Sequence, residues 1–111
     1  MYPSTVPEIT VQELKALMDA GEAPFILDVR EEQEYAIANL DGMLIPLRQL
    51  PNRLDELEDH KDALIVVHCR SGPRSAQAVM YLRAFGFEQA KNLRGGVLAW
   101  SREIDPSMPT Y

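Results

Sequence analysis

The chain is short of cysteine, of long apolar runs and of positive charge, and each shortage excludes something. Its single cysteine, Cys69, can form no internal disulfide and no zinc site by itself. A reducing compartment fits that count, and the thiol needs an explanation of its own. No apolar run exceeds five residues, as at 63–67, whereas spanning a bilayer takes about 20. The start, Met-Tyr-Pro-Ser-Thr-Val-Pro-Glu, has neither a basic end nor an apolar stretch, so no signal peptide is expected. These absences predict a cytoplasmic protein without a membrane partner. Eleven Lys and Arg stand against 17 Asp and Glu, a net charge of -6 with no basic cluster, which excludes nucleic acid as the main partner. The five methionines show no metal-ligand spacing, and no metal or cofactor is expected.

What is present suits one domain over 1–111, with an irregular lead-in at 1–7 and an irregular tail at 105–111. Hydrophobic residues make up 46% and charged residues 25%, which excludes intrinsic disorder and supplies an ordinary core. Thr10-Val11-Gln12-Glu13 reads as a capping box. The helix it opens carries Val11, Leu14, Leu17 and Met18 on one face and stops near Gly21. Residues 25–29 and 64–68 read as buried strands, 43–45 and 90–93 as shorter ones. Helical patterns occupy 31–37, the Leu50–Leu57 stretch with Pro51 in its first turn, the segment from Ala76 to Gly86, and 97–104. Strands and helices thus alternate about five times. The predicted fold is α/β, a central and mostly parallel five-stranded sheet with helices on both faces. Its ligand site belongs beyond the carboxyl ends of the strands, after Val29 and His68.

Cys69 falls at that place, between the clearest strand and a helix, in the loop Cys69-Arg70-Ser71-Gly72-Pro73-Arg74-Ser75. Residues 63–87 hold no Asp or Glu, where the average acidic content would place about four, yet they hold Arg70, Arg74 and Arg83. A buried strand and helix explain part of that gap, since they exclude charge of either sign. A nucleophilic cysteine must react as its thiolate, and an ordinary thiol of pKa ~8.5 is only a few per cent ionised at neutral pH. Lowering a thiol pKa by two units takes about 2.7 kcal/mol. A helix N-terminus supplies roughly 0.3–2 kcal/mol, so inward-facing backbone N–H groups must add the rest. Gly72 lets the backbone curl inward and Pro73 stiffens the exit toward the helix. The loop therefore reads as an anion cradle with a nucleophile at its base. Cysteine-dependent phosphatases place an arginine six positions after the cysteine. Here that position is Ser75, and Arg74 comes one place early. A smaller ring suits one extra sulfur atom better than a tetrahedral phosphate.

At these residues the chain resembles the rhodanese-like family. The matching pieces are Leu27-Asp28-Val29-Arg30, the strand before Cys69, the loop itself, Tyr81-Leu82-Arg83, Gly86-Phe87, and the run Leu93-Arg94-Gly95-Gly96-Val97-Leu98-Ala99-Trp100. The resemblance implies a sulfurtransferase that moves a sulfane sulfur through a Cys69 persulfide. The donor would be a small anion such as thiosulfate or a persulfide, and the acceptor a thiol, cyanide or a protein carrier. Arg70 to Ser75 would hold the sulfur, with Asp28 and Arg30 as a supporting ion pair. The tail at 104–111 resembles the end of rhodanese domains fused behind ubiquitin-activating-type adenylyltransferases. The chain departs from the family at Ala38-Asn39-Leu40-Asp41-Gly42-Met43, where Gly-His-Ile-Pro-Gly-Ala is common, and this segment bears on substrate choice. A non-catalytic binding module and a phosphatase or arsenate reductase on the same fold are the alternatives. His68 should point away from Cys69, because side chains alternate along a strand, and His60 is expected in solvent.

Overall fold

A computed structural model describes residues 6–111; of the expected irregular lead-in, residues 1–5 lie outside the described residues. In chain order the elements are β1 (Glu8–Ile9), α1 (Val11–Asp19), β2 (Phe25–Asp28), α2 (Glu32–Ile37), β3 (Met43–Leu44), α3 (Leu50–Arg53), β4 (Ile65–His68), α4 (Pro73–Ala84), β5 (Ala90–Leu93) and α5 (Gly96–Glu103). The five strands form one sheet in the order β1-β5-β4-β2-β3, and every pairing is parallel. The alternation of side chains along the central strands divides the core between the two faces. Leu27, Ile65 and Val67 pack with Leu50, Leu57, Val79 and Leu82. Ile26 and Val66 face the other way, onto Val11, Leu14, Ala99 and Trp100. Helices therefore cover both faces, as the sequence predicts. No helix among the described residues is long and apolar enough to cross a membrane.

The capping box forms as read: Glu13 N–H donates to Thr10 Oγ1 at 3.1 Å, and Thr10 N–H donates to the Glu13 carboxylate at 2.8 Å. The sequence pattern left one of the five strands unplaced, and two further expectations need correction. The fifth strand is Glu8–Ile9, an edge pair with Asn92 and Leu93 that is too short to show any alternation. The Leu50–Leu57 stretch is not one helix. A single α-turn, α3, lies between 3₁₀ segments at Leu47–Gln49 and Leu54–His60. The leucines remain inside, with Leu50 and Leu57 buried. A spacing of three, as from Leu54 to Leu57, satisfies either helix type, so the apolar pattern does not discriminate between them. His60 is not in open solvent but stacks on Phe25, with ring centroids 3.9 Å apart.

The register β2–β4 sets Asp28 beside His68, so both strands end at one level and release Val29 and Cys69 there. The first turn of α5 closes on the same place. Its otherwise unpaired N–H groups at Val97 and Leu98 donate to the carbonyls of Cys69 and Arg70, each at 3.1 Å. Only glycine fits where these backbones touch. A Cβ on Gly96 would lie 2.5 Å from both of those carbonyl oxygens, and its φ of +59° lies in the left-handed region. We expect Gly96→Ala to destabilise the protein by about 2–3 kcal/mol in urea unfolding. A loss below about 0.5 kcal/mol would show that this contact does not hold the loop.

Candidate active site

Chain direction changes sharply after β4, and the turn wraps around one sulfur. Cys69 is 1% exposed, and its Sγ accepts from the Gly72 N–H at 3.1 Å and the Ser75 N–H at 3.4 Å. Gly72 takes φ +128°, a conformation other residues resist, and this aims its N–H back at the sulfur. Pro73 then occupies the first position of α4, where a missing N–H removes no helical bond. The Ser75 hydroxyl stands 3.3 Å from Sγ, 3.1 Å from the Gly72 carbonyl and 2.5 Å from Asn92 Oδ1. Asn92 comes from β5 and donates through Nδ2 to the Gly72 carbonyl at 3.3 Å. Gly72, Ser75 and Asn92 are all buried, whereas Ser71 and Pro73 are exposed on the outer side of the turn.

Charged groups surround this turn in pairs. Arg30 and Asp28 are fully buried; Nε and Nη2 of the guanidinium donate to the carboxylate at 2.7–3.1 Å. Burial opposes the Arg30 charge, but the bonds to Asp28 and Tyr111 outweigh it and raise its pKa. Arg30 also donates to the carbonyls of Glu34 and Ala38, tying α2 and the atypical 38–43 segment to the end of β2. Glu34 forms a two-pronged pair with Arg74 at 2.7 and 2.8 Å. The Arg74 guanidinium holds the Glu34 carboxyl down to about 2, and Glu34 in turn raises Arg74. Tyr111 joins these groups: its hydroxyl accepts from Arg30 at 3.0 Å and donates to Glu34 at 2.8 Å. Its main-chain oxygen accepts from Arg70 Nε at 2.8 Å, and also from Arg70 Nη2. His68 turns toward Asp28, 3.7 Å away, as strand alternation predicts. Complete burial depresses its pKa, so the imidazole stays neutral.

The site is thus a sulfur held by amides at the start of a helix, after the central parallel strand. The rhodanese-like domain family model matches residues 10–103. The chain belongs to the rhodanese-like family. A protein of Allochromatium vinosum named sulfurtransferase is 36% identical over 98 residues, covering 87% of this chain and 90% of its own length. The adenylyltransferase and sulfurtransferase uba4 of Ogataea parapolymorpha is 39% identical over 95 residues, covering 85% of this chain. The chain spans about a quarter of the length of such adenylyltransferase relatives. Among solved structures, a rhodanese-like domain protein from Staphylococcus aureus superposes with a TM-score of 0.79 at 32% identity, covering 95% of this chain and 98% of its own.

In this rhodanese-like domain the sequence-derived loop, Cys69 to Ser75, comes together around the sulfur. Asp28 and Arg30 also meet, as a fully buried pair. Arg70 and Arg74, read from the sequence as part of the anion cradle, are not left as free cations. The structure instead pairs Arg70 with Tyr111 and Arg74 with Glu34. Three residues were missed. Asn92 left one trace, an amide in the buried register of a short strand. Glu34 was hidden in an acidic helix, and Tyr111 at the end of an irregular tail.

The Glu34–Arg74 pair has a pH signature. Because the carboxyl falls from 4.5 to about 2 on folding, the stabilisation is present above pH 4.5 and is lost as pH falls toward 2. Arg74 is 37% exposed at its side chain, so solvent screens the pair and about 0.5–1 kcal/mol remains. Urea unfolding should show wild type more stable than Glu34→Gln by that amount at pH 6, with the two converging near pH 2. A constant difference across this window would remove Glu34 as the titrating group.

Proposed function

We propose that the domain is a sulfurtransferase working through a persulfide on Cys69. The observation that carries this reading is the cradle in which the Gly72 and Ser75 N–H groups converge on Sγ. The Cys69 thiolate attacks the outer sulfur of thiosulfate, a sulfur–sulfur bond forms, and sulfite departs with the electron pair of the bond that breaks. A persulfide donor reacts in the same way, with a thiolate as the leaving group. The outer sulfur of the Cys69 persulfide then passes to a thiolate, to cyanide or to a protein acceptor, and the Cys69 thiolate returns. Backbone N–H groups suit every stage, because each places negative charge on sulfur inside the ring.

Arg70 and Arg74 attract an anionic donor, but each already has a partner, so a donor must share or displace Tyr111 and Glu34. Ser75 occupies the position where cysteine-dependent phosphatases carry arginine, and this weighs against phosphoryl transfer. The similarity to sulfurtransferase domains joined to adenylyltransferases supports a protein acceptor.

Incubation with thiosulfate should add the mass of one sulfur atom to the intact protein, reversed by cyanide or a reductant. Cys69→Ser should gain nothing; sulfur transfer by that variant at the wild-type rate would refute the assignment. For donor charge, Arg74→Ala should lower the second-order rate with thiosulfate by about 10-fold, the loss of one charge-assisted contact. A neutral persulfide donor should lose less. Equal losses with both donors would assign Arg74 to loop structure instead of anion capture.

A further inference from the structure

The Ser75 hydroxyl has one proton and three neighbours that can take it. Asn92 Oδ1, at 2.5 Å, is the nearest; the Gly72 carbonyl is at 3.1 Å and Cys69 Sγ at 3.3 Å. Two oxygens that close, one of them an amide carbonyl, require the proton between them. The amide orientation is itself determined by its other end. Nδ2 faces the Gly72 carbonyl at 3.3 Å, and a rotated amide would set two carbonyl oxygens against each other there. That carbonyl already accepts the first bond of α4, from Ala76 N–H at 2.9 Å. It has no need of the serine proton.

With its proton committed to Asn92, Ser75 Oγ can offer the sulfur only a lone pair. It can accept from the Cys69 thiol, but it cannot donate to the thiolate. We infer that Asn92 is a positioning residue that turns the Ser75 hydroxyl away from Cys69 and so favours the resting thiol over the thiolate. This rests on Cys69 as the nucleophile and deepens that reading. The two loop amides then favour the thiolate while the Ser75–Asn92 pair opposes them. The charged or titratable groups near the sulfur are Arg74 from α4, paired with Glu34 of α2, and the chain neighbours Arg70 and neutral His68. Among the described residues, none of these hydrogen-bonds to the Asn92 side chain or the Ser75 hydroxyl, so the pair can be varied without breaking an ion pair. Asn92 and Ser75 are both fully buried, which gives their hydrogen bonds no competing water.

The test reads the thiolate directly, by its ultraviolet absorbance between pH 5 and 10, with Cys69→Ser as the blank. It needs no sulfur donor, so its outcome is separate from whether the domain transfers sulfur. Ser75→Ala removes the lone pair that accepts the thiol proton. Asn92→Leu, of similar shape, frees the hydroxyl to donate to sulfur. Each should raise the thiolate fraction at neutral pH by about 3- to 10-fold, the net worth of one hydrogen bond. Asn92→Asp keeps the acceptor and should not raise it. The double variant Ser75→Ala/Asn92→Leu should match Ser75→Ala alone, because Asn92 acts through Ser75. A fall in thiolate on Ser75→Ala would mean that the hydroxyl donates to sulfur, which overturns the inference. So would an added effect of Asn92→Leu once Ser75 is gone, or no effect of Asn92→Leu at all. If Asn92→Leu does not fold, the sign of the Ser75→Ala change decides alone.

Discussion

Everything at the site depends on which way the peptide groups of the Cys69 turn face. A peptide has an N–H on one side and a carbonyl on the other, so N–H groups can converge on a sulfur only if their carbonyls are accommodated elsewhere. The first turn of α5 anchors the entry to the turn, one peptide ahead of the first N–H that reaches Sγ. A helix start has spare N–H donors, and those of Val97 and Leu98 take the carbonyls of Cys69 and Arg70. One contact thus satisfies two otherwise orphaned sets of groups and fixes the start of the turn. Gly96 makes it possible by bringing the two backbones closer than any side chain allows. The glycine pair at the start of α5 and the cysteine loop are therefore one structural unit, although about 20 residues separate them in the chain.

The second constraint is electrostatic. The site carries several charges at close quarters, and burial makes each costly unless paired. Asp28 and Arg30 meet this in the interior, where the guanidinium also gathers the carbonyls of Glu34 and Ala38. Nearer the turn, Glu34 and Tyr111 take up Arg74 and Arg70. The cradle is thus set in a framework that is close to neutral as built. An anion would meet positive charge there only by exchanging partners with it. In this framework the loop amides, which no side chain can neutralise, carry the electrostatic weight at the sulfur.

Much of this was legible in one dimension because it arises from local rules. The cap at Thr10, the apolar strands, the helix periods and the order of elements follow from hydrogen bonding and side-chain alternation over a few residues. Parallel strands joined by helices place a ligand beyond the strand ends, and Cys69 stands there. Gly72, Pro73 and the missing arginine at Ser75 marked the loop's shape and size. The Leu50–Leu57 segment was misread for an equally local reason: a three-residue spacing is shared by two kinds of helix. The two-residue β1 had too little length to carry a pattern.

The sequence by itself determined the fold class and the placing of Cys69 in a turn between a central strand and a helix, since these rest on contacts between near neighbours in the chain. Only the tertiary structure decided the partners of each polar group. Asn92 reaches Ser75 across 17 positions, Glu34 reaches Arg74 across 40, and Tyr111 reaches Arg70 across 41. Such pairs leave no periodic trace, because the distance between them is set by how strands and helices stack. The charges and hydroxyls were visible as residue types, but which of them face the sulfur, and which cancel one another, depends on that stacking.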